Sequence, residues 1–207
     1  MKLYNVKTGL LRVNTYFLVD EDTKNAVVID SGENYKTIIT TKEQLGVNIK
    51  AVLLTHAHFD HAGNVKALQD DGVKILVSTI DAPKLSNDLN LGKDFGRKVE
   101  PCIPDKTFSD GEILEFDNIK IEVISTPGHT DGSVTFKVEN KLFTGDTLFY
   151  DTIGRTDFPT GDFYEMINSV NKLFNLKGDF EVYPGHNEFT TLDRERKYNL
   201  IKEYDRQ

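Results

Sequence analysis

Five histidines, and the way they are spaced, constrain this chain more than any other feature of its 207 residues. Three lie in the hexapeptide HAHFDH at residues 56–61, and His129 and His186 each directly follow a Pro-Gly pair. Histidines used only in packing would not be grouped in this way, whereas such spacings are typical of metal ligands. With Asp60 and Asp146 the set is large enough for two metal ions that keep open coordination positions. The pattern therefore predicts a dinuclear metal site.

The first part of this set is a group of three histidines. His56 and His58 are two positions apart, so in an extended or tightly turned segment both imidazoles can point to the same side. His129 would complete the group from a later segment of the chain. We therefore expect these three histidines to bind the first metal ion.

The second part of the set combines carboxylates with histidines. Asp60 and His61 belong to the same hexapeptide but point elsewhere, and we expect them to form a second metal site with His186. Asp146 is the expected bridge, because a carboxylate has two oxygens and can bind both ions. Asp60 and Asp146 are also the candidate catalytic residues.

A further aspartate is a candidate for holding one of these histidines in place. Metal-bound histidines usually donate their second ring N–H to a carboxylate or carbonyl. Asp30 ends a predicted strand over residues 26–29 and could accept such a bond. An ordinary turn aspartate is the alternative interpretation.

The donor atoms predict the type of metal. Nitrogen and oxygen ligands without a thiolate suit zinc, iron or manganese. We expect two divalent ions, with zinc as the first choice and iron or manganese as alternatives. Bound zinc lowers the pKa of water to about 7, and two ions about 3.5–4 Å apart can also polarise a carbonyl. Cys102, the single cysteine, has no spare histidine to activate it as a nucleophile.

Composition narrows the class of partner. The formal net charge is −8 and lysines and arginines are scattered, so we expect no nucleic-acid partner. No apolar run is long enough to span a membrane, and the N-terminus lacks the apolar core of a signal peptide. A single cysteine cannot form an internal disulfide. We expect a single domain over residues 1–207 in a cytoplasmic setting, with the oligomeric state left open.

Short apolar runs alternate with helical patterns along the whole chain. The predicted strands are residues 14–19, 26–29, 51–54, 74–77, 120–124, 134–138, 141–143 and 181–183. The predicted helices are residues 35–45, 62–69, 163–174 and 191–204. Each candidate ligand directly follows a strand end, where a rigid scaffold can position it precisely. The pattern predicts an α/β protein with sheets covered by helices.

Taken together, these motifs resemble the metallo-β-lactamase superfamily. The resemblance rests on residues 55–61 (THAHFDH), 127–129 (PGH), 145–146 (GD) and 184–186 (PGH), which occur in the family order. It implies a four-layer αββα sandwich with the metal site at one edge of the two sheets. Class B β-lactamases generally lack the histidine equivalent to His61, and zinc-using members have Cys where Asp146 stands. We therefore do not expect β-lactamase activity.

Within the superfamily, residues 145–149 (GDTLF) and 154–158 (GRTDF) are most similar to the glyoxalase II branch, the hydroxyacylglutathione hydrolases. This resemblance implies that Asp146 binds both metal ions, together with the two ligand groups described above. It implies attack by a metal-bridging hydroxide on a thioester carbonyl, as in S-D-lactoylglutathione. The substrate would be a small-molecule thioester, and the metal ions would stabilise the oxyanion and the leaving thiolate.

Two departures from glyoxalase II affect the expected substrate. Full-length members carry a helical C-terminal domain that helps to hold glutathione, and we expect a short form without it. Arg155 keeps the basic position of the substrate loop and is the candidate substrate-binding residue, but Asp157 stands where the family has tyrosine. We therefore expect a short-form hydrolase that holds a related acyl-thiol less specifically.

A rival reaction class shares the same ligands. Residues 126–132 (TPGHTDG) and 154–158 also resemble glutathione persulfide dioxygenases, which use one iron held by the positions matching His56, His129 and Asp146. Those enzymes typically have alanine where Gly185 stands, which favours the hydrolase. Lactonase and other ester-cleaving activities use the same ligand set and stay open.

Overall fold

The first of two six-stranded sheets is built from the N-terminal half of the chain. The computed structural model describes residues 1–203. The sheet contains, in spatial order, β1 (Lys2–Thr8), β2 (Val13–Val19), β3 (Asn25–Ile29), β4 (Asn48–Leu53), β5 (Lys74–Ser78) and β6 (Lys106–Phe108). The pairs β1–β2 and β2–β3 are antiparallel, whereas β3 to β6 run parallel. The parallel strands bring their carboxyl ends, and the loops that follow them, to one edge.

The second sheet is built from the C-terminal half. Its spatial order is β12 (Thr190–Thr191), β11 (Glu181–Pro184), β10 (Lys141–Gly145), β9 (Val134–Val138), β8 (Ile119–Ser125) and β7 (Ile113–Phe116). Only the β10–β11 pair is parallel among these strands. Its register shifts between Phe143 and Gly145, next to Asp146, and such irregularities often redirect a side chain beside a functional site.

Helices cover the outer faces of the two sheets. They are α1 (Tyr35–Leu45), α2 (Phe59–Ala62), α3 (Val65–Asp70), α4 (Phe163–Phe174) and α5 (Leu192–Tyr198). Short 3-10 helices span Ala82–Ser86, Asp88–Asn90, Lys93–Phe95 and Leu200–Glu203. In the part of the chain that is described, no helix is long and apolar enough to cross a membrane.

Three apolar clusters join the layers. Alternate residues of β2 point to opposite faces: Leu18 packs between the sheets against Phe136, while Phe17 packs outward with Ile38 of α1. A third cluster seals α4 and α5 against the outer face of the second sheet. Each fully buried large aliphatic or aromatic side chain contributes about 1.5–3 kcal/mol to folding. The arrangement is the four-layer αββα sandwich that the sequence predicts.

Local capping explains why two predicted helices have the bounds that the sequence indicates. The side chain of Asn34 accepts from the Thr37 amide at the start of α1, and Gly46 ends it in the left-handed region at φ 63°. Asp162 accepts from the Glu165 amide at the start of α4. Such caps satisfy backbone groups that a helix end leaves unpaired.

The other predicted helices need correction. The helix expected over 62–69 is shorter: α2 ends at Ala62 and α3 begins at Val65. The helix is broken between them because the amide of Asn64 donates to the carbonyl of Gly32, outside the helix. The helix expected over 191–204 ends at Tyr198 and gives way to a 3-10 helix, and its last predicted residue, Tyr204, lies outside the described residues.

All eight predicted strands are present, with bounds shifted by up to three residues, but four further strands were not predicted. These are β1, β6, β7 and β12, all at or next to a sheet edge. Edge strands have one partner or one exposed face, so their sequences carry a weaker apolar signal. The prediction from periodicity was therefore reliable for central strands and incomplete at the edges.

Candidate metal centre

The predicted ligands meet at one edge of the sandwich. Residues 56–61 follow β4, His129 follows β8, Asp146 follows β10 and His186 follows β11. In groups of three their ligand atoms lie within 4.8 Å of one another: His56, His58 and His129; His56, His61 and Asp146; Asp60, His61 and His186. The structure therefore brings together all seven residues that the sequence singled out.

Two glycines make these close approaches possible. Gly128 adopts φ 138°, and a Cβ there would lie 2.5 Å from the backbone of Met166 in α4. A Cβ at Gly185 would lie 2.3 Å from Oδ1 of Asp146 and 2.7 Å from the His61 ring. In each Pro-Gly-His motif the glycine lies too close to neighbouring atoms to carry a side chain. Its lack of one lets the histidine that follows reach the site.

The first group is formed entirely by imidazoles. Nδ1 of His58 lies 2.9 Å from Nε2 of His129. Nδ1 of His129 donates to the carbonyl of Arg155 at 2.7 Å, so Nε2 is the ring nitrogen that faces the other ligands. Nδ1 of His56 lies 3.2 Å from the Thr55 hydroxyl. The opposite atom, Nε2 of His56, is buried without a hydrogen-bond partner in the described structure.

The second group mixes a carboxylate with two imidazoles. Nε2 of His186 lies 3.1 Å from Oδ2 of Asp60 and 3.3 Å from Nε2 of His61. Nδ1 of His186 donates to the carbonyl of Leu11 at 3.1 Å. Each histidine therefore presents Nε2 toward the same small space.

Asp146 lies between the two groups. Its Oδ1 is 3.4 Å from Nε2 of His61, and its Oδ2 is 3.5 Å from Nε2 of His129. Oδ1 is buried and has no hydrogen-bond partner among the described residues. Oδ2 also lies 3.7 Å from Nε2 of His186, so the carboxylate contacts histidines of both groups and could be shared between two ions.

Asp30 contacts His61 as the sequence analysis anticipated. Its Oδ2 accepts from Nδ1 of His61 at 2.9 Å, and the two carboxylate oxygens also accept from the amide and hydroxyl of Thr55, each at 2.8 Å. Asp30 has φ 53°, so it is a turn residue as well. Both interpretations of this residue hold, and its contact fixes the ring orientation of His61.

Burial keeps His56 and His58 of the first group neutral. Desolvation, followed by the nearby His61, holds the pKa of His56 well below its ordinary value. Desolvation and the neighbouring His129 lower the pKa of His58 to about 3. Neutral imidazole is the form that binds metal ions.

Carboxylates dominate the electrostatics of the second group. Burial would lower the pKa of His61, but Asp60 and Asp146 outweigh it and raise that pKa well above its ordinary value. Burial would raise the pKa of Asp146, but His61 and His186 outweigh it and hold the pKa well below its usual range. The carboxylates of Asp60 and Asp146 are therefore negatively charged, which favours binding of a cation.

The donor set fits divalent metal ions. Buried nitrogens and oxygens without hydrogen-bond partners are rare in folded proteins and call for an explanation. Here His56 Nε2 and Asp146 Oδ1 both lack one, within a group free of thiolates. Nitrogen and oxygen donors of this kind match zinc, iron or manganese.

A cavity of about 360 Å³ opens beside the ligands. Six of its side chains are apolar: Leu11, Phe59, Leu91, Phe95, Phe149 and Phe158. Leu11 and Phe95 were not predicted to line this cavity. They lie in a turn after β1 and in a 3-10 helix. No local pattern distinguishes these residues from other exposed apolar residues.

Arg155 lines the cavity, but its guanidinium is already engaged. Nε and Nη2 bond to the two carboxylate oxygens of Asp157, each at 2.7 Å, and the group lies 3.9 Å from the ring centroid of Phe158. Its role as a substrate anchor stays a prediction.

The fold and the ligand arrangement define a metal-binding αββα protein, and comparison with known sequences gives the family. The sequence matches the metallo-β-lactamase superfamily over residues 8–186. It is 39% identical over 189 residues to the hydroxyacylglutathione hydrolase GloC of Haemophilus influenzae, covering 88% of this chain and 89% of the relative. The chain belongs to the metallo-β-lactamase superfamily.

Solved structures with this fold span several activities. The B3 metallo-β-lactamase BLEG-1 superposes with a TM-score of 0.91 at 33% identity, covering 97% of this chain and 99% of that one. The di-iron form of TTHA1623 gives 0.86 at 29% identity, covering 96% and 99%. ETHE1 from Myxococcus xanthus gives 0.83 at 26% identity, covering 97% and 84%. Overall similarity therefore does not select one reaction, and the expected absence of β-lactamase activity stays a prediction.

Proposed function

We propose that this protein is a dinuclear metal-dependent hydrolase that cleaves a small acyl-thioester, such as S-D-lactoylglutathione or a related acyl-thiol. The observation that carries the proposal is the position of Asp146, whose carboxylate lies within 3.7 Å of histidines of both ligand groups. A one-metal site would need only one of these groups. The name of the Haemophilus influenzae relative supports the thioester as substrate.

The seven candidate ligands form two sets, one for each ion. His56, His58 and His129 would hold the first, and Asp60, His61 and His186 the second, with Asp146 shared. Zinc is the proposed metal, with iron or manganese as alternatives. When bound, two such ions supply an activated water at neutral pH and polarise a carbonyl.

The protein contributes orientation and exclusion of water. Hydrogen bonds from Nδ1 of His129 and His186 to backbone carbonyls hold each Nε2 toward the site. Asp60, within 3.1 Å of His186, adds negative charge that favours a cation there. The aromatic side chains of Phe59, Phe95 and Phe158 bound one side of the cavity, and burial of an uncharged part of the substrate against them would strengthen binding.

The rival function is a mononuclear iron persulfide dioxygenase. The similarity to ETHE1 favours it, and so does the presence of His56, His129 and Asp146 in one place. Gly185 supports the hydrolase, because a Cβ at that position would collide with Asp146 and His61. The glycine therefore preserves the space that the second ligand group needs.

The proposal includes a cytoplasmic location and a small-molecule substrate. Cys102 is buried and unpaired, and burial raises the pKa of its thiol to about 11. A thiol in that state is neither a nucleophile nor a disulfide partner.

The decisive test compares metal content and activity on one sample. Protein purified without added metal is analysed for metal ions per chain and assayed with S-D-lactoylglutathione, with glutathione persulfide under oxygen uptake, and with a chromogenic β-lactam. About two ions per chain with thioester cleavage supports the proposal. One iron per chain with persulfide-dependent oxygen uptake, or cleavage of the β-lactam alone, would overturn it.

A further inference from the structure

A buried ion pair lies behind the first ligand group. Asp81, in the turn after β5, is fully buried, and Lys84 in the following 3-10 helix is 3% exposed. The Lys84 ammonium bonds to Asp81 and also to Asp131. Asp131 lies two residues after His129, so Lys84 connects the ion pair to the loop that carries this ligand.

The carboxylate of Asp81 joins the two loops that carry the three histidines of the first group. Its Oδ2 accepts from the amide of Ala57, the residue between His56 and His58, at 2.8 Å. The hydroxyl of Thr130, adjacent to His129, lies 3.1 Å from both oxygens. One side chain thus contacts the neighbours of all three ligands.

The surrounding chain is shaped to admit this carboxylate. A Cβ at Gly132 would lie 2.2 Å from Oδ1 of Asp81, so the His129 loop approaches more closely than a side chain permits. Ser78 accepts from the Asp81 amide at 3.1 Å and donates to the Gly132 carbonyl at 2.7 Å. Asp81 is therefore held from both sides.

A buried ion pair is a weak source of stability, because desolvation of the two charges offsets their attraction. Apolar residues of similar volume are often as stabilising at such positions. What the pair adds here is geometry, since it sets the distance between the loop at residues 55–58 and the loop at residues 126–133.

We propose that Asp81, neutralised by Lys84, is a positioning residue that sets the spacing of His56, His58 and His129 for the first metal ion. The inference rests on the metal-ligand assignment proposed above, but it is independent of whether the reaction is hydrolysis or oxygenation. It assigns to Asp81 the role for the first group that Asp30 has for the second.

The test measures metal affinity of the first group directly. Cobalt(II) is titrated into metal-free protein in competition with a chromophoric chelator, in a His186→Ala background in which the second group lacks a ligand. Asp81→Asn should lower the cobalt affinity at least tenfold, in the range found when groups that orient metal ligands are lost. The visible cobalt spectrum should change as well, since the ligand geometry changes.

A matched control separates positioning from general stability. Asp20 is also a buried aspartate that joins two loops, accepting from the amides of Asp22 and Asn118, but it lies away from the ligand groups. Asp20→Asn should reduce the unfolding temperature and leave cobalt affinity within twofold. Equal losses of affinity in the two variants, or an unchanged affinity in Asp81→Asn, would overturn the proposal.

A milder variant covers the case in which Asp81→Asn does not fold. Thr130→Val keeps the shape of the side chain and removes only the hydroxyl link to Asp81. We expect a several-fold loss of cobalt affinity and a shifted cobalt spectrum, and an unaltered spectrum with unaltered affinity would contradict the role. If the chain without these substitutions binds no cobalt, the ligand assignment itself fails, which is a separate outcome.

Discussion

The two ligand groups of this protein differ in how they are prepared for a metal ion. The first consists of three imidazoles, and burial lowers the pKa of His56 and His58. The second contains carboxylates, which raise the pKa of His61 and His186. An ion entering the first group meets the neutral nitrogens of His56 and His58, whereas an ion entering the second must displace protons.

The two groups are also held in place differently. In the second group, Asp30 bonds directly to the ring of His61. In the first group, Asp81 bonds to the backbone of Ala57 and to Thr130, one residue away from the ligands. The rings of His129 and His186 both donate to backbone carbonyls, so the difference lies in the supporting aspartate. Asp30 bonds to a ring of the second group, whereas Asp81 bonds to the loops that carry the first.

Asp146 is where the two groups meet, so its loss should have the largest effect. Asp146→Ala should reduce metal content from about two ions per chain to one or none. Thioester turnover should fall by more than about a hundredfold, since even indirect partners of metal ligands cost 10–100-fold. Metal analysis and steady-state kinetics check this, with Asp70→Ala at an exposed site as the control. A variant with two ions and full turnover would remove the bridge assignment.

Loss of the second group alone should separate the two reaction classes. His186→Ala leaves the three histidines of the first group intact. A dinuclear hydrolase should lose roughly a hundredfold or more in turnover together with one metal ion. A mononuclear iron oxygenase should keep its iron and its oxygen uptake, and that result would favour the rival function.

Weakening the contact that orients His61 should affect the second group more than the first. Asp30→Asn replaces the carboxylate that accepts from Nδ1 of His61 and also from Thr55, the residue before His56. We expect a loss of about 10–100-fold in affinity for the second ion, and a smaller loss for the first. Competition titrations with zinc measure both affinities, and an equal loss at both sites would show that the groups are not independent.

Space around the second group can be tested by adding one methyl group. In Gly185→Ala the new Cβ would press on Asp146 and His61, so we expect roughly tenfold weaker binding of the second ion. Gly46→Ala is the control, because its Cβ meets open space and costs only helix-end stability. If Gly185→Ala bound two ions as tightly as the parent chain, the steric argument for the hydrolase would be lost.

The smallest effect is expected outside both groups. Arg155→Ala should raise KM for an anionic thioester more than it lowers kcat, because a remote contact is mostly uniform binding. The guanidinium is exposed and already bonded to Asp157, and exposed ion pairs contribute little, so we expect a change of no more than about fivefold. KM and kcat are measured for the variant with S-D-lactoylglutathione, which is anionic, and with an uncharged thioester. If the substitution changes KM equally for both substrates, Arg155 does not bind the anionic group.

Most of the ligand arrangement could be predicted because its signals are local. The spacing within residues 56–61 and the Pro-Gly-His motifs identify every member of the two groups, and Asp30 was recognised by its place after a strand. Asp81 could not be recognised in the same way. Its partners, Ala57 and Thr130, are 24 and 49 residues away, and an aspartate in a turn has no local mark that distinguishes it.

The apolar wall of the cavity was missed for the same reason. Leu11 and Phe95 are exposed residues of short connecting segments, and 42% and 46% of their surfaces are accessible. Their role arises only because the turn after β1 and the 3-10 helix at Lys93–Phe95 converge beside the ligands. The short edge strands likewise depend on partners that periodicity does not identify.

By itself, the sequence determined which residues could bind metal ions and the family to which the chain belongs. It also determined the bounds of α1 and α4, whose capping residues lie next to them in the chain. These properties depend on side-chain chemistry and on spacing over a few positions. Tertiary structure alone decided that Asp146 faces both groups and that Asp81 joins two ligand loops. Those features depend on contacts formed when the two sheets pack together and on burial that changes the charge of the groups enclosed.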